Sequence, residues 1–203
     1  MAGIEPFRVM ALMARARALE ALGRSIVHME IGEPDFATPR PVCEAGIRAL
    51  EKGDLFYTPA LGAPELRAAI ARYYATRYRV AVSPERIVVT AGSSGALLLA
   101  LGVLVDPGAQ VLVTDPGYPA NRHFVRLLNG EPINVPVGPD ENYQLTPELL
   151  AQYWGERTLA AVVATPSNPT GTVIAHDVLV SLAGMAAERG GALIVDEIYH
   201  GLV

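Results

Sequence analysis

Hydrophobic and polar positions change their period several times along these 203 residues. Over residues 6–23, Phe7, Met10, Met13, Leu19 and Leu22 fall at helical spacing, with Arg8, Arg15 and Arg17 off that face, which predicts an amphipathic helix. A short strand is expected over 25–31, followed by the turn-rich Gly32-Glu33-Pro34-Asp35-Phe36. Helices are expected over 41–52, stopped by Gly53, and over 64–78. In the second, Leu66, Ile70 and Tyr73 repeat at i, i+4 and i+7, and Pro64 suits the first turn. Beyond Arg86, apolar runs and helical stretches alternate. Strands are expected over 87–90, 110–114, 132–137, 159–165 and 192–195, and helices over 96–105, 119–128, 148–154 and 176–189. Thr146-Pro147-Glu148 supplies a cap, a first-turn proline and a first-turn acid. Strands that are apolar on both faces and joined by helices imply an α/β fold, a mainly parallel sheet covered by helices on both sides.

Composition narrows the function classes. With 51% hydrophobic and 18% charged residues the chain has an ordinary globular core, and its net charge of −5 makes nucleic acid and anionic membrane poor partners. The longest strongly apolar run, 96–105, is too short to cross a bilayer. An Arg-bearing amphipathic start suggests a transit peptide, but Glu5 and Glu20 argue against one, so the expectation is a structural helix in a cytoplasmic protein. Cys43 is the single cysteine, which fits a reducing compartment and suggests a small packing residue. His28, His123, His176 and His200 lack metal-ligand spacing, so no metal is expected. The paired Tyr73 and Tyr74 read as core. Fifteen of the sixteen basic residues are arginine, which leaves Lys52 as the only lysine, read as a solvated surface residue.

In a parallel sheet, ligands gather where strands end. After Thr90 comes Ala91-Gly92-Ser93-Ser94-Gly95, opening a helix whose free N–H groups and hydroxyls suit an anion, although small residues also serve a tight turn. It has neither the three-glycine spacing of a dinucleotide site nor the Gly-Lys-Ser/Thr of a phosphate loop, and it lacks the last glycine of a hydrolase elbow. After Thr114 comes Asp115-Pro116-Gly117-Tyr118-Pro119, which can offer an aromatic face to a flat ring or simply pack on its own loop. After Thr165 comes Pro166-Ser167-Asn168-Pro169-Thr170-Gly171, two prolines mounting an amide that both donates and accepts. The last strand runs into Asp196-Glu197-Ile198-Tyr199-His200, where the Asp196 carboxylate needs a cationic or hydrogen-bonding partner.

Together with Tyr57-Thr58-Pro59-Ala60-Leu61-Gly62 and Leu66-Arg67, these segments resemble, in order and over essentially the whole chain, the class I/II aminotransferases, pyridoxal-phosphate enzymes of fold type I. The resemblance implies a truncated large domain with an N-terminal small-domain segment, divided as 1–40 and 41–203. It also assigns roles. Ser93, Ser94 and the Gly95 amide would hold the cofactor phosphate, and Tyr118 would stack on the pyridine ring. Asn168 and Tyr199 would hydrogen-bond the ring O3′ oxygen, and Asp196 would pair with the protonated ring nitrogen. Gly32 would lie by the substrate α-carboxylate. Tyr57 would reach the phosphate of a neighbouring subunit, implying a homodimer in the full-length protein. The substrates implied are an α-amino acid and a 2-oxo acid, in amino-acid metabolism of a biosynthetic kind.

In relatives the Schiff-base lysine sits in a Ser-x-x-Lys segment downstream of Asp-x-x-Tyr. The expectation is that it lies beyond Val203, that Lys52 matches no catalytic position, and that the 203 residues alone are inactive and bind cofactor weakly. Two relatives' strands would lie between the 87–90 and 192–195 strands, so both are expected to have unpaired edges. A β-lyase or decarboxylase of the same fold, or a non-catalytic cofactor-binding or regulatory module, stays open as an alternative.

Overall fold

The structure, a computed structural model, describes residues 4, 8–33, 36–53 and 55–202. It divides into two compact units, residues 5–89 and residues 90–203 with 1–4. The family-domain boundary expected at residue 40 lies inside the first unit.

The first unit holds α1 (Arg8–Glu20), α2 (Arg40–Lys52) and α3 (Pro64–Tyr78). Gly53, in the left-handed region at φ 69°, ends α2 and donates its N–H to the Leu50 carbonyl. These helices form where their pattern and caps predict them, but they bury little. Ala16 is the one buried residue of α1, and none is buried in α2 or α3. The apolar stripe expected on α1 is only partly covered among the described residues: Met13 and Leu19 are half-buried, Met10 and Leu22 are exposed, and Phe7 lies outside those residues. Cys43 is likewise exposed rather than packed, its thiol directed at the Thr38 carbonyl. Tyr73 is half exposed and not core. It meets Tyr74 and Tyr78 edge to face, with ring centroids 5.7–6.1 Å apart.

Two expected strands join no ladder. Residues 25–31 carry no strand. In 87–90 the backbone is engaged by other groups: the Val89 N–H donates to the Leu61 carbonyl, and the Arg67 Nε–H donates to the Ile87 carbonyl at 2.9 Å. An apolar extended run becomes a strand only when a neighbouring strand answers its polar groups in series, and here the answering groups are a single loop carbonyl and a side chain.

The second unit contains α4 (Gly92–Leu104), β1 (Gln110–Asp115), α5 (Pro119–Leu127), β2 (Glu131–Pro136), α6 (Pro147–Tyr153), β3 (Thr158–Ala164), α7 (His176–Glu188) and β4 (Ala192–Asp196). The four strands form a wholly parallel sheet in the order β2-β1-β3-β4. Its faces alternate with the period of two that a pleat imposes. Val111, Val113, Ala160 and Val162 face Leu97 and Leu101 of α4 and Val125 of α5. Leu112, Ala161 and Val163 face Leu150 of α6 and Leu182 of α7. The expected α/β architecture, a parallel sheet with helices on both sides, is present, with element ends within a residue or two of expectation except at α4. That helix starts four residues early, because Gly92, Ser93, Ser94 and Gly95 form its first turn. The Thr146 hydroxyl accepts from the Leu149 N–H at 3.2 Å, as a helix cap.

The sheet's two edges differ. On β2, Pro132 and Pro136 remove donors from the outer rim. On β4, Ala192-Leu193-Ile194-Val195 is apolar, proline-free and paired only with β3 among the described residues. Such an edge is a template for strand addition. The 203-residue chain is therefore expected to self-associate with rising concentration, measured by sedimentation velocity. A monomer that melts cooperatively at every accessible concentration would contradict this.

Candidate functional site

Because every strand is parallel, the carboxyl ends of β1, β3 and β4 lie at one edge of the sheet, and the loops that follow them meet there. The short turn at 105–109 returns the end of α4 to the start of β1. Helix α4 therefore runs back along the sheet, with its first turn toward the same carboxyl edge. The Gly92 N–H donates to the Thr90 carbonyl at 2.9 Å, and no side chain caps the amides that follow in that turn. Ser93 and Ser94 stand half-buried beside them. Uncapped amides, the positive end of the helix dipole and two hydroxyls are the donor set an anion requires.

After β1, an added Cβ at Gly117 would collide with the Thr114 carbonyl oxygen, so only glycine fits this turn. The turn delivers Tyr118 as the N-cap residue of α5, half-buried. Arg122 sits one turn further on, its Nη2 3.6 Å from Asp115 Oδ1. Asn121 is on the sheet-facing stripe of α5, one turn before the buried Val125. It is itself buried, and its Oδ1 meets no hydrogen-bond partner among the described residues. A buried amide oxygen without a partner is costly and marks a place where a polar group is wanted.

After β3, the loop is tied from several sides. The Thr165 N–H donates to the Asp196 carbonyl at 3.0 Å, and the Thr165 hydroxyl accepts from the Ile174 N–H at 3.0 Å. The Ser167 N–H donates to the Thr172 carbonyl, and the Gly171 N–H to the Ser167 carbonyl. Beneath them the buried Gln144 amide donates to the Ala164 carbonyl at 3.2 Å and to the Thr172 carbonyl at 2.9 Å. So mounted, Asn168 donates through Nδ2 to the Tyr199 hydroxyl at 3.1 Å. Since the phenol oxygen accepts there, its own hydrogen is free to donate elsewhere, beside the second amide hydrogen of Asn168. After β4, Asp196 Oδ1 accepts from the Ile198 N–H at 3.1 Å. That is the hydrogen-bonding partner the sequence demanded, and it orients the carboxylate at the strand end.

Of the residues singled out from the sequence, Tyr118, Asn168, Asp196 and Tyr199 follow strand ends of one sheet, while Ser93, Ser94 and Gly95 lie in the first turn of α4, a helix packed on that sheet. Gly32 and Tyr57 belong to the other compact unit. Gly32 is exposed, in a segment whose Pro34 and Asp35 lie outside the described residues, and Tyr57 is fully exposed. Lys52 closes α2 and is exposed. Among the described residues no group of three metal-ligating side chains converges, and no helix is long and apolar enough to cross a membrane.

Residues 24–203 match the family described as Aminotransferase class I and II. The chain belongs to that family. It is 40% identical over 202 residues to valine–pyruvate aminotransferase of Mycobacterium tuberculosis, covering 100% of this chain and 52% of that protein. It is 38% identical over 199 residues to (5-formylfuran-3-yl)methyl phosphate transaminase of Methanocaldococcus jannaschii, covering 98% of this chain and 50% of that protein. Among solved structures, an aminotransferase from Mycobacterium tuberculosis superposes with a TM-score of 0.94 at 39% identity, over 98% of this chain and 51% of that one. Aspartate aminotransferase from Thermus thermophilus with maleate superposes with a TM-score of 0.90 at 36% identity, over 97% and 53%. The chain thus spans about half the length of the curated relatives it matches. Class I and II aminotransferases depend on pyridoxal phosphate.

The sequence motifs missed two residues that shape this edge of the aminotransferase sheet, Gln144 and Asn121. Neither sits in a strand-end motif, and only burial reveals them. Replacing Gln144 with leucine leaves the Ala164 and Thr172 carbonyls unanswered. The Gln144→Leu variant is expected to lose about 1–3 kcal/mol of stability in urea unfolding, whereas an unchanged midpoint would show that the Asn168 loop stands without it.

Proposed function

We propose that these residues form the cofactor-binding part of a pyridoxal-phosphate aminotransferase that moves an amino group between an α-amino acid and a 2-oxo acid. The observation that carries the reading is the Asn168–Tyr199 pair held beside Asp196, whose carbonyl is bonded to the start of the Asn168 loop. Bound there, the cofactor supplies an electron sink for the carbanion that develops at the substrate Cα. The chain's own groups do the rest. The amides of the first turn of α4, with Ser93 and Ser94, take the phosphate. The phenol of Tyr199 and the amide of Asn168 donate to the ring oxygen. The Asp196 carboxylate keeps the ring nitrogen protonated, and Tyr118 covers a ring face. The first-turn amides of α4 beyond Gly92, which no side chain caps, and the buried Asn121 oxygen support the fit, because both lie at this edge and suit polar partners.

The division at residue 40 places Gly32, read as the substrate α-carboxylate contact, on the small-domain side and the ring and phosphate contacts on the other. The full exposure of Tyr57 suits a side chain that reaches the phosphate of a second subunit in a homodimer. A cytoplasmic location suits the exposed free thiol of Cys43. Lys52, the only lysine in the 203 residues, ends an exposed helix of the first unit and matches no catalytic position. As a 203-residue polypeptide the chain is therefore read as binding cofactor weakly and not transaminating.

Two measurements test this. Titration with pyridoxal phosphate, followed by fluorescence, is expected to show weak binding that Asp196→Ala weakens at least several-fold. Keto-acid formation from an amino acid by the same polypeptide is expected to stay at the level of cofactor alone. Binding indifferent to Asp196→Ala would contradict the site, and sustained turnover would contradict the reading of Lys52.

A further inference from the structure

The first unit holds a charged cluster that the reading above leaves unused. His28 lies between two carboxylates: its Nδ1 is 2.6 Å from Glu30 Oε1 and its Nε2 is 2.9 Å from Glu20 Oε1. Ionised carboxylates only accept, so filling both contacts requires a proton on each ring nitrogen, and an imidazole that donates twice is a cation. Glu20 is the last residue of α1, and Glu30 stands two residues before Gly32. The Glu30 side chain is only 9% exposed, so its charge needs this partner. A cavity of about 210 Å³ adjoins the cluster, lined by Met13, Arg17, His28, Glu30, Ile31 and Glu33. The charges bonded to His28 are Glu20 from α1 and Glu30 from its own segment, and two carboxylates favour the cation; Arg17 of α1 and Glu33 line the adjoining cavity.

We propose that His28 is a positioning residue for the Gly32 segment: as a doubly donating cation it clasps the chain leading into Gly32 to the end of α1, and it releases one side when it loses a proton. A neutral imidazole has one donor, so it can hold Glu20 or Glu30 but not both. Hydrogen bonds to Glu30 and then Glu20 raise the His28 pKa above its ordinary value, and the bond from His28 holds the Glu30 carboxyl below its own. The signs define a window. The His28 contribution is complete below the ordinary imidazole range and fades as pH rises through its raised value. The Glu30 contribution is complete above the ordinary carboxylate range and fades as pH falls through its lowered value. The clasp is therefore closed at mildly acidic to neutral pH and opens on the alkaline side. The consequence for substrate rests on the reading of Gly32 as the α-carboxylate contact; the clasp itself does not.

A cofactor-free experiment on the 203-residue chain decides it: the His28 ring is titrated by NMR while backbone 15N order parameters are read for Met29, Glu30, Ile31 and Gly32. The His28 midpoint is expected above about 6.5, and Glu30→Gln is expected to bring it down toward that value. The order parameters are expected to fall as pH passes the His28 midpoint. In His28→Asn they are expected to stay at the low value at every pH. A His28 midpoint at or below the ordinary value would overturn the proposal, as would order parameters indifferent to its titration. Failure of substrate to respond to Gly32 substitution in a complete enzyme would instead count against the functional reading alone.

Discussion

A parallel sheet buried on both faces is the constraint from which the site follows. The central strands β1 and β3 are paired on both sides, and both surfaces over them are sealed by aliphatic side chains, Val111, Val113 and Val162 on one side and Leu112, Ala161 and Val163 on the other. Polar chemistry has nowhere to go except where the strands stop. Parallel strands all stop at the same edge, so the loops after β1, β3 and β4 and the first turn of α4 are delivered to one place. Close packing beneath makes that edge a rigid platform.

The platform is then tuned by a few polar ties. The Thr165 N–H bond to the Asp196 carbonyl couples the ends of β3 and β4, which carry Asn168 and Asp196. Gln144 reaches under the Asn168 loop and answers carbonyls that the ladder leaves behind. With those supports the Asn168 amide and the Tyr199 phenol meet at hydrogen-bond distance and still keep hydrogens to donate. On the function proposed above, a dianionic phosphate, a ring oxygen and a protonated ring nitrogen would each meet a matching group, and the aminotransferase family to which the chain belongs depends on one cofactor that carries all three. The smaller unit is organised differently: its helices bury almost nothing, and its best-defined polar feature is an ionic clasp around His28.

Much of this was legible in the chain. Periodicity placed the helices and all the paired strands, because each carries its own pattern and the second unit's core is built from near neighbours in sequence. Thr146 and Gly53 announced helix ends through local hydrogen bonding that needs no distant partner. The strand-end motifs pointed to Ser93, Tyr118, Asn168 and Asp196, since glycine, proline and an isolated carboxylate after an apolar run are costly unless used. What misled was pattern without a partner. Residues 25–31 and 87–90 look like strands, and the α1 and α3 stripes look like core, yet burial and pairing depend on what lies opposite, which a local pattern does not contain. Gln144 and Asn121 escaped notice for the converse reason: each is an ordinary polar residue locally, and only its burial gives it a task.

The central claim, that the carboxyl edge of this sheet is a seat for pyridoxal phosphate, is tested most directly by mapping amide chemical shifts of the 15N-labelled chain during titration with the cofactor. The account predicts saturable changes confined to the amides of Ser93, Ser94, Gly95, Tyr118, Asn168, Asp196 and Tyr199 and their immediate neighbours. Changes scattered over the first unit, or none at this edge while the cofactor binds elsewhere, would contradict it.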